Sequence, residues 1–101
     1  MGMKVRWQVI QKDGQELVEE IHKVVVHQGR IGDCDDPEIY VAEPIWNWQQ
    51  TEAGKFVMKH AVQTPSYQTH MDHLTYGYKY VIVAELEKKK LSEFYLKFGK
   101  L

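Results

Sequence analysis

The sequence predicts an α+β domain of two layers, with a four-stranded antiparallel sheet in the order β-β-α-β-β and one main helix packed on one face. Three observations lead there. Two alternating stretches are joined by Asp13-Gly14, a strong signal for a tight hairpin. A central stretch then takes helical spacing, and a second alternating stretch follows it. With 101 residues the chain has room for one domain, taken as 1–101.

The first strand is read in "MKVRWQVIQ", where Val5, Trp7 and Val9 alternate with Lys4, Arg6 and Gln8. After the Asp13-Gly14 turn, "ELVEEIHKVVVHQ" returns. Its run Val24-Val25-Val26 puts apolar groups on both faces, as a central strand does. "GRIGDCDDPE" is a loop ending in Asp36-Pro37, a helix cap and first-turn proline, with Glu38 near the positive end of the dipole. A short turn is expected over Pro37–Ala42 and the main helix from Pro44 to Val62.

At 100° per residue, Ile45, Trp46, Ala53, Phe56, Val57 and Ala61 share one stripe of that helix, the expected core face. Gln49 and His60 fall inside it and need partners. Trp48 falls opposite, among Glu52, Lys55 and Lys59. The third strand, "YKYVIVAELE", points Tyr78, Tyr80, Ile82, Ala84 and Leu86 at the helix. "KKK" turns the chain, and "LSEFYLKFG" reads as a fourth strand with Phe94, Leu96 and Phe98 on one face. The sheet face away from the helix is left with Val81, Val83, Tyr95, Ile10 and part of the valine run, without intrachain cover.

Composition narrows the function. Hydrophobic residues are 44% and charged residues 27%, a globular balance, and a net charge of −1 argues against nucleic acid. Charge is nonetheless segregated. Asp33 to Glu43 holds five acids and no base, whereas Leu74 to the end holds six lysines against three glutamates; two solvated surfaces are the simpler reading, and a complementary pair used in self-association the sharper one. Lys88, Lys89 and Lys90 leave a weaker nucleic-acid reading. A lone cysteine, Cys34, points to a reducing cytoplasm, and no apolar run or signal core suggests a membrane.

"HMDHLTYGYKY" holds the nearest approach to a metal or acid–base site: His70, Asp72 and His73, with His60 a further candidate. Zinc needs three or four converging ligands, and an i, i+3 pair converges only on a helix or tight turn. Beside a strand that pair diverges, so polar contacts at the strand's mouth are the simpler reading. Cys34 sits among Asp33, Asp35 and Asp36, which disfavours a reactive thiolate. Those acids with Glu38 do not make a calcium loop, since Pro37, Glu38 and Pro44 occupy the positions that need an oxygen ligand, a glycine and a glutamate. His22 and His27 differ in strand phase and do not read as a pair. Tyr76, Tyr78, Tyr80, Phe94 and Phe98 are in phase with the core more than with a base-stacking platform.

The stretches "YVAEPIWNWQQTEAGKFVMKHAV" and "YGYKYVIVAELEKKKLSEFYLKFG" resemble small uncharacterised proteins of tailed phages, marine ones especially. The resemblance covers most of the chain from Asp36 onward. It implies action in the cytoplasm of an infected bacterium and carries no activity or site residues.

The sequence therefore points to a non-enzymatic protein–protein interaction or regulatory module that forms a homodimer, with no cofactor. Its expected contacts are the open sheet face (Val81, Val83, Tyr95) and the Trp48 edge of the helix with Glu52 and Lys55, since tryptophan is enriched at interface hot spots. The alternative is a small metal-dependent enzyme or binder using His70, Asp72 and His73.

Overall fold

The computed structural model describes residues 4–32, 36–74 and 77–99. The expected class holds: an α+β domain built on a four-stranded, wholly antiparallel sheet that curls. The element order differs. It runs β1 (Lys4–Lys12), β2 (Gln15–Gly32), α1 (Pro37–Tyr40), α2 (Ala42–Gln49), α3 (Glu52–His60), β3 (Ser66–Asp72), β4 (Gly77–Glu87) and α4 (Lys88–Phe98). The sheet order is β1-β2-β4-β3.

The hairpin forms as expected. Asp13 and Gly14 both take positive φ, at 54° and 76°, which the two-residue primed turn requires. β2 then outruns its partner. Its first half, Gln15–Lys23, pairs with β1, and its second half, Ile21–Gly32, pairs with β4. Val24 and Val26 are both buried in the main core by ordinary alternation, and a bulge between Val25 and His27 then shifts the phase so that His27 lies opposite inward-facing Ile82.

On β4, Tyr80, Ile82, Ala84 and Leu86 point into that core, matching the alternation. Gly29 lies opposite Tyr80 in the ladder, and a Cβ there would sit 2.6 Å from the tyrosine ring. The glycine gives the ring room to lie over the strand.

The expected main helix is two helices. The chain breaks at Gln50–Thr51, where the Thr51 hydroxyl donates to the Trp48 carbonyl (2.6 Å) and accepts from the Gly54 amide (3.0 Å). Thr51 is thus the N-cap of α3. Gly54 permits the tight corner, since a Cβ there would overlap the Trp48 carbonyl oxygen. The break resets the helical phase and reverses the two tryptophans: Trp48 is 5% exposed and Trp46 is 61% exposed. The inward stripe is Val41, Ile45 and Trp48 at i, i+4, i+7, continued after the corner by Ala53, Phe56 and Val57. Asp36 does precede α1, but its side chain makes no cap hydrogen bond; its backbone carbonyl accepts from Ile39 and Tyr40.

The expected fourth strand is α4. Leu91, Phe94, Tyr95 and Phe98 recur at i, i+3, i+4, i+7, and the first three pack on the core. Reading only Phe94, Leu96 and Phe98 gives a false strand; Leu96 is in fact exposed. The fourth strand is instead β3, an edge strand that contains the His70–Asp72 stretch.

Candidate functional site

The feature that stands apart from the packed body is the hairpin. β1 reaches β4's neighbourhood only at its root, because the two ladders of β2 share only Ile21, His22 and Lys23. Beyond that overlap β1 and β2 run on as a two-stranded ribbon. The Cα radius of gyration, 15.4 Å, exceeds the ~13 Å of a compact chain this long, and the principal extents are 50 × 26 × 23 Å.

Register assigns the ribbon's faces. Val5 pairs with His22, which pairs with Leu86, so Val5, Trp7 and Val9 share the face that the helices cover on the body. Val18, opposite Val9, joins them. Val5, Trp7, Val9 and Val18 are between 47% and 67% exposed. Together they present roughly 400 Å² of apolar-residue surface, the size at which a patch on a monomer is usually functional. The helix layer stops beside them, where the Lys88 ammonium at the start of α4 lies 3.5 Å from the Glu20 carboxylate. Glu20 is the cross-strand partner of Trp7.

The ribbon's other face is anchored. Arg6 donates to Glu85 at 2.6 Å and to Gln8 at 2.6 Å, reaching from β1 across β2 to β4. Ile21, which pairs with Arg6, is fully buried.

Of the six contact residues expected from sequence, Trp48 and Val81 are buried, Val83 and Tyr95 half-buried, and Glu52 and Lys55 exposed. Trp48 lies inside the core, its ring stacked on His27 at 5.8 Å, so it presents no docking edge; Glu52 and Lys55 remain exposed on α3 without it. Tyr95 belongs to a helix and packs on the core cluster, not on the far sheet face. Val81 is buried and Val83 half-buried on that face, flanked across the ladders by Gln28 and Gln68, and by Val25 and Ser66. Ile10's side chain lies outside the described residues, as do Asp33, Cys34, Asp35 and Tyr76.

The histidine stretch forms no ligand set. Asp72 is engaged at the end of β3: its carboxylate meets Arg30 at 3.1 Å and Lys79 at 3.6 Å and accepts the Leu74 amide at 3.1 Å. His70 sits opposite Lys79 in the ladder, and His73 follows in the exposed turn. His60 ends α3 with its ring 4.6 Å from Phe56. Among the described residues no three His, Cys, Asp or Glu side chains are grouped to hold a metal.

Two features escaped the sequence reading. His27 is half-buried against the core, its Nε2 3.0 Å from the Tyr80 hydroxyl. Burial pushes the imidazole below its ordinary pKa and the Tyr80 phenol above its own. Its inward position comes from the bulge at Val26, which strict alternation does not reveal. An open cleft of about 320 Å³ is lined by Arg30, Ile31, Tyr40, Glu43, Pro44 and Asn47. Arg30, one of its two charged lining residues with Glu43, is bound to Asp72.

No helix among the described residues is long and apolar enough to cross a membrane. No family model, curated protein or solved structure matches the chain.

Proposed function

We propose that this protein is a non-enzymatic interaction module that self-associates, and that the projecting hairpin is its contact surface. One observation carries the reading: Val5, Trp7, Val9 and Val18 form a continuous apolar stripe on a ribbon that its own helices leave uncovered. A two-stranded ribbon is marginal in water unless one face is packed. Covering roughly 400 Å² at ~25 cal/mol per Å² is worth about 10 kcal/mol before association costs. Trp7, the largest of the four, fits the aromatic anchor that dominates interface energetics.

The resemblance to tailed-phage proteins supplies a setting for this proposal, the cytoplasm of an infected bacterium, which the single cysteine suits. The metal-dependent alternative loses support because Asp72 is bound by Arg30 and Lys79.

Light scattering over a dilution series tests the proposal. The wild type should show twice the monomer mass at high concentration, and Trp7→Ser should remain monomeric under the same conditions. A wild type that stays strictly monomeric at high concentration overturns it.

A further inference from the structure

The open cleft lies away from the hairpin, at the other end of β2. Val18 and Arg30 are twelve residues apart on that strand, roughly 40 Å, so stripe and cleft do not share a surface. Arg30 and Ile31 supply one wall, from the stretch where the β2–β4 register shifts a second time. The other wall is helical. Val41 keeps helical dihedrals between α1 and α2; its amide donates to the Pro37 carbonyl and its own carbonyl accepts from Ile45. The two helices thus form one continuous run. On it Tyr40, Pro44 and Asn47 recur at i, i+4, i+7, one line round from the buried Val41, Ile45 and Trp48, with Glu43 beside them.

Charges around the cleft are unevenly matched. Arg30 and Lys79 both turn to the Asp72 carboxylate, at 3.1 and 3.6 Å. Glu43 is exposed, and neither its carboxylate nor the Asn47 side-chain amide has a partner among the described residues. From Asp36 to Asn47 the chain carries three acids and no base. An anion entering here would meet a guanidinium already engaged and the Glu43 carboxylate as well. A cation gains Glu43.

Shape selects among cations. About 320 Å³ is at the small end of the ~300–1,000 Å³ of ligand clefts, room for one side chain. Tyr40 is 60% exposed, so its ring is open to stacking. A flat guanidinium stacks on such a ring and meets a carboxylate with two N–H groups, whereas a lysine ammonium offers only a point charge.

We propose that the cleft binds an arginine side chain of a partner polypeptide. The methylene stem lies on Ile31 and Pro44, and the guanidinium stacks on Tyr40 and pairs with Glu43. A further N–H is donated to the Asn47 side-chain oxygen. The module thereby gains a contact for a second protein, independent of its hairpin.

A titration followed by backbone amide shifts tests this with Nα-acetyl-arginine amide as the probe. Shifts should fall on Arg30, Ile31, Tyr40, Glu43 and Asn47 and saturate in the millimolar range. Nα-acetyl-citrulline amide has the same stem and a flat, uncharged head, and should bind about fivefold more weakly. Glu43→Gln should cost the arginine probe about the same factor, whereas Glu52→Gln, an exposed acid on α3 outside the cleft, should leave its affinity unchanged. Thermal unfolding of both variants checks that the fold is intact. Equal affinity for the two probes, an unaffected Glu43→Gln, or the absence of saturable shifts at the cleft overturns the arginine site. Tighter binding of Nα-acetyl-glutamate amide would overturn it too, by assigning the cleft to an anion. None of these outcomes bears on self-association, which light scattering decides separately.

Discussion

The two halves of β2 belong to different regimes. From Ile21 to Gly32 the strand pairs with β4, the helices cover one face, and Val24 and Val26 are buried in the core. From Gln15 to Glu20 the same strand has only β1 beside it and no helix above, and Val18 is 64% exposed. The sequence is as apolar at Val5, Trp7 and Val9 as in the body. What differs is cover, and cover decides whether an apolar side chain stabilises the monomer or awaits another surface.

Substitutions at the two tryptophans probe this contrast most directly. Trp48→Ala should cost the fold about 3–5 kcal/mol, seen as a large fall in the urea midpoint, because it empties a site between α2, His27 and the sheet. Trp7→Ala at concentrations too dilute for association should shift that midpoint by no more than ~0.5 kcal/mol. Comparable losses at both sites would erase the contrast.

Gly29→Ala comes next. Its Cβ meets the Tyr80 ring, and moving the ring strains the contact with His27, so a loss of roughly 1–3 kcal/mol is expected by thermal denaturation. The equivalent change at Gly14 leaves the core untouched, because nothing lies within 4 Å of its Cβ position.

A pH series gives a smaller effect confined to the covered half. Burial holds His27 below its ordinary value of 6.5, so the unfolded chain binds this proton more readily than the folded one. Stability from this group is complete above pH 6.5 and declines as pH falls through the lowered folded value. The slope is at most about 1.4 kcal/mol per pH unit. His60 shifts in the same direction, through burial first and then the charges of Lys90 and Lys59. Urea midpoints from pH 7.5 to 5 should fall for the wild type and fall less steeply for His27→Gln; equal slopes would assign the effect elsewhere.

The smallest effect is expected at the edge strand. Asp72→Asn removes the charge that holds Arg30 and Lys79, two partners that are about half exposed. A loss of up to ~1 kcal/mol is expected, smaller at high salt. A drop of several kcal/mol in the unfolding free energy would contradict this.

Much of the fold was legible because period-two patterns report directly on faces. The hairpin turn and the inward Tyr80, Ile82, Ala84 and Leu86 of β4 follow from local alternation and turn chemistry, whereas the valine run pairs with β4 alone, beyond the end of β1. The errors have equally local causes. One wheel drawn through Gln50–Thr51 exchanged Trp46 with Trp48, because a helix corner resets phase without any proline to announce it. The alternation of Phe94, Leu96 and Phe98 concealed the helical set Leu91, Phe94, Tyr95 and Phe98. β3 was missed because an edge strand paired on one side needs few apolar residues, and "SYQTHMD" has few.

From the sequence the histidine stretch stood as the alternative reading, with strand spacing, which separates i from i+3, as the argument against it. Its actual role could not be read, because Arg30 and Lys79 meet Asp72 only once β2, β4 and β3 are aligned.

By itself, then, the sequence determined an antiparallel α+β domain with a tight hairpin and an apolar alternation running the length of β1. Those properties are written in short-range periodicity and turn residues. Only the tertiary structure decided which alternating residues are covered, because coverage depends on where the helices end over the sheet. They end at Glu20, which leaves Trp7 exposed, while the corner at Gln50–Thr51 turns Trp48 into the core.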